Sequence, residues 1–172
     1  MINNEKNIKS FCCRIPTRQE VLKKYDYEIS IHPGEEKNWI SWKQEYMNMP
    51  EWKRISYFWF LDDEVICEAT AALSSDACMN MENLVNDKTA YLFAFRTNVE
   101  YRWQWYFSKL FKFMINDLKT RWYEQVIIWV DPTEYENKEI YFHYGFNELV
   151  KTDVENNPDW SLLTVEYYKK YL

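Results

Sequence analysis

Apolar positions along the chain follow two periods, and the changes between them mark out the elements. Residues 8–15 have strand character. Pro16-Thr17 then opens a helix. Thr17 stands as N-cap with Glu20 three residues on, the capping-box spacing, and the helix is expected to end near Lys24 or Tyr25. A second helix is expected over residues 36–47, stopping before Pro50. Residues 54–61 are aromatic and β-branched, Asp62-Asp63 makes a turn, and residues 64–73 return as a partner strand, so the segment predicts a β-hairpin. A polar loop, with room for one helical turn, fills 74–88. A strand follows at 89–97 and a turn at 101–105.

Between 108 and 121 the period becomes helical. Leu110, Phe111, Met114, Ile115 and Leu118 form one face, with Lys109, Lys112, Asn116 and Lys119 between them. Residues 125–130 are a short apolar run that predicts a buried strand. A helix over 132–144 starts on proline and meets Gly145 just past its end. A strand at 146–151, a turn at Asn156-Asn157-Pro158-Asp159 and a strand at 162–168 complete the chain. The order is β-α-α-β-β-β-α-β-α-β-β. It predicts an α/β fold, a mixed sheet with helices on its faces, in a single domain over residues 1–172.

Composition narrows the function classes. Hydrophobic residues make up 47% and charged residues 28%, an ordinary globular balance. The net charge of -6 argues against a nucleic-acid coat, and no basic stripe accompanies the aromatics. No stretch is long and apolar enough to span a membrane, and the polar N-terminus lacks the apolar core of a signal peptide. Cys12, Cys13, Cys67 and Cys78 match no metal spacing, so they are read as reduced thiols of a cytoplasmic protein without a metal. His32 and His143 are read as surface or capping residues.

One total is abnormal. The chain has 2 Gly and 9 Trp, where average usage near 7% would give about 12 glycines. Trp122 follows a helix end, where a glycine is expected; Trp52 and Trp160 sit in turn sequences; Trp59 and Trp129 interrupt strands.

The strand–turn–helix running from Tyr91 to Lys119 is the most promising site. Backbone N–H groups gather at such a helix start and, with the helix dipole, form an anion site to which Arg102 adds charge. A plain connection with an exposed arginine is the simpler alternative. Glu68 is a second candidate. A carboxylate inside the apolar run Cys67-Glu68-Ala69-Thr70 is costly to bury unless paired or used, although it could face outward.

At these residues the sequence resembles the GNAT superfamily of acyl-CoA N-acyltransferases, over nearly the whole chain. The family's turn signature, Arg/Gln-x-x-Gly-x-Gly/Ala, starts on Arg102. Trp105 and Phe107 stand at its small-residue positions, and Trp103 where a further glycine is common. The family's helix ending, Leu-Tyr-x-x-x-Gly-Phe, reads Ile140-Tyr141-Phe142-His143-Tyr144-Gly145-Phe146, while Glu134 replaces the asparagine usual seven residues before the tyrosine.

The resemblance implies a central, mostly antiparallel sheet and acetyl-CoA as cosubstrate. Backbone N–H groups of Trp103, Gln104, Trp105, Tyr106, Phe107 and Ser108 would cradle the pyrophosphate beside Arg102. The strand edges of Phe95 and Thr97 would pair with the pantetheine, and an N–H of that strand would polarise the thioester carbonyl. The acceptor, a small-molecule or protein amine, would attack directly in a ternary complex. Tyr141 would protonate the leaving thiolate and Glu68 would take the amine's proton, directly or through water.

Seven tryptophans (Trp52, Trp59, Trp103, Trp105, Trp122, Trp129 and Trp160) thus stand at positions expected to hold glycine. Glycine at all of them would bring the total to about nine, near the normal share. The pattern predicts codons that mean glycine in the source, such as a reassigned UGA, read as tryptophan. If the residues are genuine, the alternative is a GNAT-like domain without cofactor binding that serves as an interaction module.

Overall fold

A computed structural model describes residues 11–78, 83–156 and 162–172. Strand β1 (Phe11–Arg14) leads into helices α1 (Arg18–Ile31) and α2 (Glu36–Asn48). Strands β2 (Arg54–Leu61), β3 (Glu64–Ala72) and β4 (Thr89–Thr97) follow, then α3 (Tyr106–Thr120), β5 (Gln125–Val130), α4 (Tyr135–His143), β6 (Glu148–Asn156) and β7 (Leu162–Tyr171). This is the expected order. The sheet has seven strands in the order β1-β2-β3-β4-β5-β7-β6. Pairing is antiparallel for β1/β2, β5/β7 and β6/β7, and parallel for β4/β5. No described helix is long and apolar enough to cross a membrane.

Several boundaries moved, each for a local reason. The capping box at Thr17 forms as expected, but α1 continues to Ile31, because no breaker intervenes before Pro33-Gly34. Helix α4 begins three residues late. The Asp131 carboxylate accepts from the Thr133 N–H (2.8 Å) and hydroxyl (2.6 Å), which holds Pro132 and Thr133 in a turn. Strand β6 starts at Glu148 rather than at Phe146, whose N–H still closes the helix end on the Tyr141 carbonyl (3.1 Å). Of the expected turn Asn156-Asn157-Pro158-Asp159, Asn156 is the last residue of β6, and the other three residues, with Trp160, lie outside the described residues.

The chain divides into two compact units. One holds Met1–Met49, Ser56–Ala69 and Ala94–Met114; the other holds Pro50–Ile55, Thr70–Phe93 and Ile115–Leu172. In the first, Val21, Phe58 and Phe60 form a buried cluster with Tyr25, Tyr46 and Val65 against it. In the second, β5, β7 and β6 build a ladder whose buried side chains include Val126, Ile128, Val165 and Tyr167. All five apolar positions that predicted α3 are buried, and the four polar ones between them are exposed.

Candidate functional site

The β4–turn–α3 segment lies in the first unit from Ala94 onward. Ala94 itself has φ 54, a left-handed residue inside a strand, so β4 kinks just before Phe95. Phe95 packs its ring against Phe107 and Phe111 on α3, at 5.2 and 6.5 Å between centroids. The Thr97 hydroxyl lies 3.1 Å from the Cys67 sulfur, and burial pushes that thiol up to about 11, so it stays protonated. Arg102 turns back and donates Nε–H to the Thr97 carbonyl (3.2 Å), while the Gln104 amide donates to the Glu100 carbonyl (2.8 Å). These two bonds pin the turn to the end of the strand.

Two residues of this turn are left-handed, Trp103 at φ 64 and Trp105 at φ 67, and their indoles are 90% and 74% exposed. That backbone ordinarily belongs to glycine, since a Cβ there costs about 1–2 kcal/mol. The result is a concave run of amides. The N–H groups of Trp103, Gln104, Trp105 and Tyr106 donate to no acceptor among the described residues, and the first bond closing α3 is made by Lys109 to the Trp105 carbonyl (3.1 Å). Unclaimed N–H groups at the start of a 15-residue helix, beside a guanidinium, suit a phosphate chemically. The donors therefore fit a pyrophosphate, and only the two indoles are foreign to that task.

Glu68 is 6% exposed and does not face outward. Its carboxylate receives the Lys24 ammonium at 2.6 Å and the Arg96 guanidinium at 3.5 Å. Glu28, 7% exposed, shares both cations, at 3.5 Å from Lys24 and 3.3 Å from Arg96. His32 Nδ1 lies 3.1 Å from Glu28 Oε2, the oxygen that Arg96 also approaches. Trp39 closes the cluster. Its ring faces the Arg96 guanidinium at 4.6 Å and the Lys24 ammonium at 5.0 Å, and stacks on His32 at 5.6 Å. Two buried carboxylates are thus matched by two cations, the condition under which such burial is tolerated. A cavity of about 530 Å³ within the same unit is lined by Lys24, Glu28, Glu68 and Arg96 of this cluster, with Trp39 and His32 behind them.

Tyr141 belongs to the second unit, in the last turn of α4. Its ring meets Phe146 edge-on at 6.4 Å. Burial raises its hydroxyl above the usual range, with the Glu134 carboxylate adding to the effect, so the phenol is protonated at neutral pH.

No family model matches the sequence, and no curated protein matches it. Solved structures do match the fold. The E. coli ribosomal-protein-S18-alanine N-acetyltransferase is 15% identical with a TM-score of 0.65, over 94% of each chain. NAA60 of Arabidopsis thaliana, solved with acetyl-CoA, is 12% identical with a TM-score of 0.66, over 95% of this chain and 99% of that one. An acetyltransferase of the GNAT family from Streptococcus pneumoniae is 11% identical with a TM-score of 0.65, over 95% and 100%. The chain has the GNAT acetyltransferase fold.

Within the GNAT fold, the structure gathers Phe95, Thr97 and the Arg102–Ser108 turn in one unit, with Glu68 in the same unit and Tyr141 in the other. Of the tryptophans at expected glycine positions, Trp103, Trp105 and Trp122 are left-handed, whereas Trp52, Trp59 and Trp129 are not among the left-handed residues described. Trp52 lies in a 3-10 turn, so its position needs no glycine backbone. Sequence reasoning missed Lys24, Glu28, Trp39 and Arg96. Lys24, Glu28 and His32 recur every fourth residue on one helix face, but that face shows only once α1 is known to continue past Tyr25.

Proposed function

We propose that this chain is an acyl-CoA N-acyltransferase that moves an acetyl group from acetyl-CoA to a primary amine. The observation that carries the reading is the left-handed, donor-rich turn at Trp103–Tyr106 on a GNAT fold. The amine nitrogen attacks the thioester carbonyl, the C–S bond breaks, and an amide forms. The leaving thiolate takes the Tyr141 proton, for which a hydroxyl held protonated is suited. The amine's excess proton goes to the Glu68 carboxylate, directly or through water. Arg102 and the turn amides would hold the pyrophosphate, and the N–H following the kink at Ala94 would receive the developing oxyanion.

A second reading is favoured by the indoles themselves. With tryptophan at 103 and 105 the cradle carries bulk where the pyrophosphate would lie, which suits a domain that has lost its cofactor and binds a partner instead. We propose that glycine is the natural residue at 103, 105 and 122, because the backbone there has adopted glycine's conformation. Titration calorimetry with acetyl-CoA separates the readings. The chain should bind weakly or not at all, and a Trp103→Gly/Trp105→Gly variant should bind at least tenfold more tightly. Failure of the variant to bind would overturn the transferase reading, and equal, tight binding by both would overturn the obstruction. UGG codons at 103, 105 and 122 would remove the glycine assignment.

A further inference from the structure

The cavity of the first unit has a neutral floor and a negative rim. At the floor, Glu28 and Glu68 are matched by Lys24 and Arg96. At the rim, Asp63 of the β2–β3 turn and Glu64, the first residue of β3, form no ion pair among the described residues. Lys23 also lines the cavity, one cation against these two carboxylates, and Glu20 is occupied by Arg14 at 2.5 Å. A volume of about 530 Å³ belongs to the small-molecule range rather than to a peptide groove.

The floor also shows which group it recognises. An alkylammonium already sits there, that of Lys24, held by two carboxylates and the face of Trp39. Carboxylate plus aromatic face is the chemistry that selects a primary ammonium over a neutral amide or alcohol. Glu64 and Glu68 are four residues apart on the same side of β3, so their Cα atoms lie about 13 Å apart. A ligand that engages both carries two cationic nitrogens at roughly that separation.

We infer that this cavity is the acceptor pocket and takes a linear di- or polyammonium compound. One ammonium exchanges with Lys24 at Glu68, and a distal one is held at Asp63 and Glu64. The inference rests on the transferase reading for the word acceptor, but not for the binding itself.

Calorimetry on the full chain without acetyl-CoA tests it, with spermidine as probe and n-butylamine as single-charge control. Spermidine should bind at least tenfold more tightly than n-butylamine. An Asp63→Asn/Glu64→Gln variant, altered only at the rim, should lose five- to tenfold for spermidine and leave n-butylamine unchanged. Equal binding of the two amines, or a variant that binds spermidine as before, overturns the assignment. The two readings fail separately. Spermidine binding without acetylspermidine formation, in the Trp103→Gly/Trp105→Gly background with acetyl-CoA, would sink the transferase and keep the pocket. Acetylation of a peptide amine by a chain that ignores spermidine would do the reverse.

Discussion

The ends of α3 and α4 have the same geometry and different residues. At the end of α3 the N–H groups of Arg121, Trp122 and Tyr123 donate to the carbonyls of Asp117, Lys119 and Leu118 at 3.1, 3.0 and 3.1 Å. At the end of α4 those of Tyr144, Gly145 and Phe146 donate to Ile140, Phe142 and Tyr141 at 3.1, 2.9 and 3.1 Å. Residue for residue this is one motif, in which a single left-handed position lets two orphan carbonyls be satisfied. Gly145 fills it at φ 90 and Trp122 at φ 69. The hydrogen bonds are won in both places, but in α3 against the steric cost of a Cβ. The Trp122 side chain is 80% exposed, so the indole offers little burial in return.

The sharpest way to break this comparison is to exchange the residues. Gly145→Trp should destabilise the protein by about 2 kcal/mol, because it adds the left-handed cost; the Lys170 ammonium, 2.9 Å from the new Cβ, ends a flexible side chain and can move aside. Urea unfolding that shows no loss would mean the motif tolerates tryptophan freely. The Trp103→Gly/Trp105→Gly double variant should gain about 2 kcal/mol by the same measurement, since two exposed indoles leave left-handed positions.

Trp122→Gly should gain about 1 kcal/mol and raise the melting temperature by a few degrees. Trp129→Gly supplies the opposite sign. Trp129 lies in β5 opposite Tyr167 on ordinary strand backbone, so glycine there should cost about 0.5–1 kcal/mol. A gain at 129 would show that removing any tryptophan stabilises, and the backbone argument would lapse.

A pH-dependent effect concerns a helix start. Thr17 and Arg14 hold the Glu20 carboxylate down at about 2, with the Arg14 hydrogen bond the larger cause. The unfolded chain binds this proton first on acidification. The contribution is therefore complete above the ordinary carboxylate value and is lost as the pH falls from about 4.5 toward about 2. The pair is partly exposed, so the loss should be on the order of 1 kcal/mol, and a Glu20→Gln variant should show a flatter acid limb in denaturant titrations.

The element order and the faces of α3 were legible because they rest on periodicity, which depends on local sequence. The capping box at Thr17 was legible for the same reason. Three left-handed positions could be read from tryptophans standing where turn chemistry or the family signature calls for glycine. The charged cluster could not be read. Lys24 and Glu28 lie on a helix whose end was placed too early, and Arg96 follows a kink at Ala94 that no residue type announces. Glu68 could be singled out, but not its partners, because α1, β3 and β4 meet only through tertiary packing.

The two indoles on the α3 turn also make the site visible. Side chains 90% and 74% exposed should emit at long wavelength and be reached readily by soluble quenchers such as iodide, unlike Trp39 in the interior. Light from positions 103 and 105 thus reports directly on whatever approaches the turn. A chain carrying glycine there would be dark at the same place, so a difference spectrum between the two chains would isolate the turn's own signal.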